Sequence, residues 1–145
     1  MKKGFTLMEM VLVIAIIGLL GALTVPLYQS FQVVTNRQSI TSELVASLRR
    51  AKLKAIAADS DSSWGVAIGA NQKITIFKGA DFQNRDQNFD EVADIPANVS
   101  IESTISQIIF SKESGIPDTS GPVTLRDATG QSQDLTITPQ GTVDY

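Results

Sequence analysis

The sequence predicts an α+β protein in which a long N-terminal helix, hydrophobic and then amphipathic, precedes a β-rich antiparallel globular head. Three observations carry that expectation. Between Glu9 and Arg37 runs a stretch of 27 residues, Met10 to Asn36, without a charge. Beyond it, apolar side chains recur at helical spacing to about Ala58. From Trp64 onward, short runs rich in β-branched and aromatic residues alternate with Gly, Pro, Asn and Asp.

A helix over the uncharged stretch would be roughly 40 Å long at about 1.5 Å per residue. That is enough to cross a hydrocarbon core of about 30 Å. Lys2 and Lys3 precede it. A cleaved secretory signal, with Val11–Leu20 as its apolar region, would account for this pattern. So would a plain membrane anchor oriented by its lysines. Neither gives Glu9 a partner, and an unpaired carboxylate within a membrane costs on the order of a few kcal/mol.

The run Lys2-Lys3-Gly4-Phe5-Thr6-Leu7-Met8-Glu9 resembles the leader and cleavage site of type IV prepilins and type II secretion pseudopilins. The likeness continues through Val11-Leu12-Val13-Ile14-Ala15-Ile16-Ile17-Gly18 to Pro26. It implies cleavage between Gly4 and Phe5 by a prepilin peptidase, which leaves residues 1–4 as leader. It also implies N-methylation of Phe5 and retention of the apolar helix, residues 5–30. Glu9 then corresponds to the family's glutamate, which attracts the N-terminal ammonium of a neighbouring subunit during assembly. A buried carboxylate is tolerable with such a partner, and the first turns of a helix favour a negative charge. The partners implied are the peptidase/N-methyltransferase, other pilin or pseudopilin subunits and an inner-membrane assembly platform. The implied location is the inner membrane, single-pass with the head exported, and then a periplasmic or cell-surface filament. Gly18 and Gly21 permit close helix packing, and Pro26 is expected to kink the helix.

Residues 31–58 form the amphipathic continuation. Val33, Ile40, Leu44, Leu48, Ala51 and Ala55 share one helical face. Asp59-Ser60-Asp61-Ser62-Ser63 should end the helix with turn-forming residues. From Phe5 to Ala58 such a helix would be roughly 80 Å long, and only its second half has a head, residues 59–145, to pack against. The basic cluster Arg49, Arg50, Lys52, Lys54 raises a nucleic-acid reading. Removing residues 1–4 leaves 10 basic against 15 acidic residues, a net charge near −5. A general phosphate-binding surface is disfavoured by that balance, and a solvated basic face near a helix C-terminus accounts for the cluster.

In the head, Trp64–Ile68 and Lys73–Phe77 flank Gly69-Ala70-Asn71-Gln72, a hairpin in which each strand presents one apolar face. Further strands are expected at Val99–Ile105, Gln107–Phe110, Val123–Leu125, Leu135–Thr138 and Thr142–Tyr145. Ala80–Asp94 is expected as a polar loop with a short strand at its end. The run Arg49-Arg50-Ala51-Lys52-Leu53-Lys54-Ala55-Ile56-Ala57, the turn from Ile108-Ile109-Phe110-Ser111 to Gly115, and the closing Leu135–Val143 segment resemble the GspH/FimT group of minor pilins and pseudopilins. Some of that group bind DNA through basic residues near a C-terminal glycine. Here Gly141 is followed by Thr142, Val143, Asp144 and Tyr145, with no Arg or Lys, a departure that argues against transferring that activity.

Catalysis is disfavoured by composition. The chain has no His and no Cys, which removes triad and thiolate chemistry and the most versatile proton carrier near neutral pH. No catalytic residue and no cofactor is expected. Asp59-x-Asp61-x-Ser63 begins like a calcium loop, but Trp64 and Ala70 stand where its glycine and glutamate belong. Asp81, Asp86, Asp90 and Glu91 are too irregularly spaced to single out a metal site. Two functions remain: a structural filament subunit, or a membrane-tethered module whose exported head recognises DNA or a surface ligand.

Overall fold

The structure, a computed structural model, describes residues 4–144, the side chains of residues 23–30 excepted. Helix α1 spans Leu7–Ile56. The chain divides into two compact units, one ending at Gln32 and the other beginning at Val33.

In the first unit the helix carries its apolar side chains outward. From Phe5 to Leu20 every large one is at least 44 % exposed, with Leu7 the most exposed at 85 %. Among the described residues no helix is long and apolar enough to cross a membrane. Side-chain description in this run stops at Ala22 and resumes at Phe31. Helix α1 runs through Pro26, the site of the expected kink, whose side chain lies outside those described.

The second unit is the head. Ile40, Leu44, Val45, Leu48, Ala51 and Ala55 are buried on one helical face, as the spacing predicts, with Val33 half-buried at its start. The helix stops at Ile56, and in the turn that follows Ala58, Ser60 and Asp61 take left-handed φ values of 49°, 52° and 54°.

Among the described residues eight strands follow: β1 Trp64–Ile68, β2 Lys73–Lys78, β3 Asp86–Asp94, β4 Val99–Ser103, β5 Gln107–Phe110, β6 Gly121–Asp127, β7 Ser132–Ile137 and β8 Val143–Asp144. They form two four-stranded sheets, ordered β3-β2-β1-β5 and β4-β6-β7-β8. All their strand pairs are antiparallel. The expected hairpin is present, with Trp64 opposite Lys78 and Ile68 opposite Ile74. The helix face, both sheets and Ile95 share one hydrophobic core.

Two expectations change. The hairpin strands were expected to bury one face, yet every residue of β1 is buried. The reason is the 79–85 connection, which brings Phe82 edge-on to Phe77 with ring centroids 5.4 Å apart. That covers the far side of the sheet, where Gly65 leaves room for the Phe77 ring. A Cβ at Gly65 would lie 2.4 Å from Phe77 Cζ. The second change is β3, nine residues long where a mostly irregular loop was expected. It lies at a sheet edge and is largely exposed. Neither apolar alternation nor a buried run therefore marks it in sequence.

Trp64 ties helix to sheet. It is 1 % exposed, and its indole N–H donates to the Asp59 carbonyl at 3.0 Å. The Lys54 ammonium lies 4.1 Å from the centre of its ring, and Phe89 of β3 meets it nearly perpendicular at 6.2 Å.

Candidate assembly segment at the N-terminus

The helix start is built by Thr6. Its side-chain oxygen accepts from the Glu9 backbone N–H at 3.3 Å, and its carbonyl accepts from the Met10 N–H at 3.2 Å. Thr6 is thus the N-cap and Glu9 sits at the third helical position, the T-x-x-E arrangement of a capping box. Sequence reasoning passed over that cap, although the spacing was there to find it. Glu9 lies in the first turn, exposed to solvent, at the end of the helix whose dipole favours a negative charge. Gly4 and Phe5 precede the cap, both exposed. A Cβ added at Gly4 would meet nothing within 4 Å, so packing within the chain does not dictate glycine there. Lys2 and Lys3 lie outside the described residues.

The arrangement has little capacity for bond chemistry. It offers one carboxylate on an uncovered apolar rod, suited to receiving a cation carried by another apolar surface.

The basic cluster in the head is largely neutralised. Arg50 pairs with Glu43 at 2.7 Å and with Glu91 at 3.2 Å, and Lys54 also pairs with Glu91. Lys52 donates to the carbonyls of Gln140 and Gly141, tying the helix to the β7–β8 turn. Arg49 stands exposed. Arg50 and Lys54 therefore spend their charge within the head.

The acidic candidates are dispersed in the same way. Asp61 pairs with Lys112, whose hydrogen bond and charge hold the Asp61 carboxyl below the usual carboxylate range. Asp90 pairs with Arg85 at 2.9 Å, Asp81 accepts from Asn84, and Asp86 accepts from Asn88. Among the described residues no group of three or more His, Cys, Asp or Glu is placed to hold a metal ion.

A site that sequence reasoning missed joins Arg37 to Asp127. Arg37 Nη1 lies 3.1 Å from Asp127 Oδ2, with the carboxylate wholly enclosed. Asp127 Oδ1 accepts from the Thr129 hydroxyl at 2.6 Å and from the backbone N–H groups of Thr129 and Gln131. The Thr129 hydroxyl chiefly, then those N–H groups and Arg37, hold the Asp127 carboxyl below its ordinary range against the opposing effect of burial. The available signals were Arg37 as the first charge after the apolar run and Asp127-Ala128-Thr129-Gly130 as a turn sequence.

The chain is type IV pilin-like in two respects, an N-terminal segment that matches a known motif and an N-terminal helix followed by an antiparallel β head of pilin fold. Residues 1–25 match the prokaryotic N-terminal methylation motif. A fimbrial protein of Pseudomonas aeruginosa is 44 % identical over 55 residues, which cover 38 % of this chain and 35 % of that one. A type IV major alpha-pilin of Moraxella bovis is 44 % identical over 45 residues, covering 31 % of this chain and 28 % of the other. The chain thus spans about a third of the length of the curated relatives it matches. The crystal structure of the type IV minor pilin FimU of Pseudomonas aeruginosa superposes with a TM-score of 0.60 at 13 % identity. That match covers 82 % of this chain and 91 % of FimU, and the likeness is one of fold.

Proposed function

We propose that the chain is a filament subunit, a minor pilin or pseudopilin of the GspH/FimT kind, assembled through its N-terminal helix. The carrying observation is the apolar surface left uncovered from Phe5 to Leu20. At about 25 cal/mol per Å² of apolar area, so large a surface favours cover by lipid or by other subunits. The methylation motif supports cleavage between Gly4 and Phe5 with N-methylation of Phe5, and Gly4 is free of any packing demand that would explain it otherwise. Residues 1–4 are then leader, 5–30 the membrane and assembly helix, 31–58 its amphipathic continuation and 59–145 the head. Before assembly the helix resides in the inner membrane with the head exported, and Pro26 loosens it for extraction.

Mass spectrometry of the N-terminus from the native host tests the processing step, with methylated Phe5 as the expected first residue. An intact Met1, or a cut near Ala22, would overturn the reading. Glu9→Gln tests the assembly step. The head should fold unchanged while incorporation into sheared filaments drops about tenfold or more, as removing one partner of a desolvated charge pair requires. Undiminished incorporation would remove Glu9 from that role.

A further inference from the structure

We propose that Arg37 and Asp127 form a release clip, a polar latch that holds the entering turns of the head's helix and can open without unfolding the head.

The helix is held to the head in two chemically different ways. From Ile40 onward it is held by apolar packing, with Ile40, Leu44, Val45, Leu48, Ala51 and Ala55 all at most 6 % exposed. Before Ile40 that packing is missing. Val34, Thr35, Gln38 and Ser39 are exposed, and Val33 is only half-buried. The side-chain links from this stretch to the strands and loops, among the described residues, are polar. Asn36 Nδ2 donates to Asn98 Oδ1 at 3.1 Å, and Arg37 faces Asp127. Both links end on one support, because the Asn98 carbonyl accepts from the Ala128 N–H in the β6–β7 turn.

The ion pair is incompletely made. Although Arg37 Nη1 and Asp127 Oδ2 are 3.1 Å apart, neither forms a hydrogen bond among the described residues, and Arg37 Nε is likewise unmatched. The attraction is coulombic without the directional bonds that make a buried pair strong. Asp127 also divides its work between its oxygens. Oδ1 is engaged by Thr129 and Gln131 inside its own turn, so that turn keeps its bonds when Oδ2 loses Arg37. On the helix side, Thr41 donates to the Arg37 carbonyl at 2.9 Å, so the bonds that loosen with residues 33–39 are the helix's own and not those of the strands. The turn half of the latch is therefore self-supporting. Opening frees residues 33–39 and uncovers Val33 and the Arg37 stem, while the buried stripe from Ile40 onward stays packed.

Hydrogen exchange of the full chain in detergent micelles, followed by mass spectrometry, tests this. In Asp127→Asn the amide oxygen can still accept the turn's bonds. Exchange at amides 37–43, which bond to carbonyls 33–39, should rise about tenfold, while amides 44–55 and the strands keep their protection. Arg37→Met, which keeps most of the aliphatic stem, should give the same local pattern. Unchanged exchange at 37–43 in either variant would show that the pair holds nothing. A uniform rise across the head in either variant would make it a core element rather than a clip. Both outcomes overturn the proposal, and neither bears on whether the chain enters filaments.

Discussion

At the scale of single residues, Asp127 shows how one side chain serves two structures through its two oxygens. Folding lowers its pKa below the ordinary value of 3.8. Its contribution to stability is therefore complete above the unfolded pKa and is lost as pH falls through the lower folded one. Melting temperatures followed by circular dichroism from pH 6 down to pH 2 should fall less steeply at the acid end in Asp127→Asn than in the wild type. Parallel curves would mean that this carboxylate carries none of the acid sensitivity. Gly65 is the second instructive residue. Its missing Cβ is the space that Phe77 Cζ occupies, with the Ile108 carbonyl only 2.9 Å from the same point. Gly65→Ala should cost about 1–3 kcal/mol by forcing a ring and a strand to shift. Urea denaturation measures that cost, and a loss below about 0.5 kcal/mol would mean that the ring relocates freely.

At the scale of elements, the helix and the two sheets owe their legibility to different things. The buried helical stripe from Ile40 to Ala55 was visible because one face of the helix meets the head and the other meets solvent, which imprints a period of 3.6. The hairpin from Trp64 to Lys78 was visible because Gly69-Ala70-Asn71-Gln72 separates two β-branched runs, and the chain there uses left-handed backbone at Gly69, Asn71 and Gln72. Strand β3 escaped because an exposed edge strand needs no apolar period. Its polar residues instead reach back to the helix through Glu91. The Arg37–Asp127 contact escaped because it joins positions 90 residues apart in a single chain read alone. Nothing local to either residue announces the other. The helix start, by contrast, was local and readable as Thr6-Leu7-Met8-Glu9. Thr6→Ala should weaken that end by about 1 kcal/mol. The signature is faster exchange of the Glu9 amide in micelles, with the strands unaffected. An unchanged Glu9 amide would mean that the cap contributes nothing measurable.

At the scale of the whole chain, the division at Gln32 and Val33 separates a segment with no buried side chain among its described residues from one with a core of its own. The head should therefore fold without the first 32 residues. A chain beginning at Val33 is expected to be a soluble monomer with the cooperative unfolding of a single domain, whereas the full chain should require detergent. Analytical ultracentrifugation and chemical denaturation of the two forms check this. A shortened chain that aggregates or unfolds without a sharp transition would show that the head depends on what precedes it. The placement of Trp64 bears directly on such measurements. It is the chain's single tryptophan, enclosed where helix, β1 and β3 meet, with a lysine ammonium over its ring. Its emission is thus an intrinsic optical probe of that one junction. A red shift on denaturation reports separation of helix from sheet, while events confined to residues 5–22 pass without changing the colour of the light.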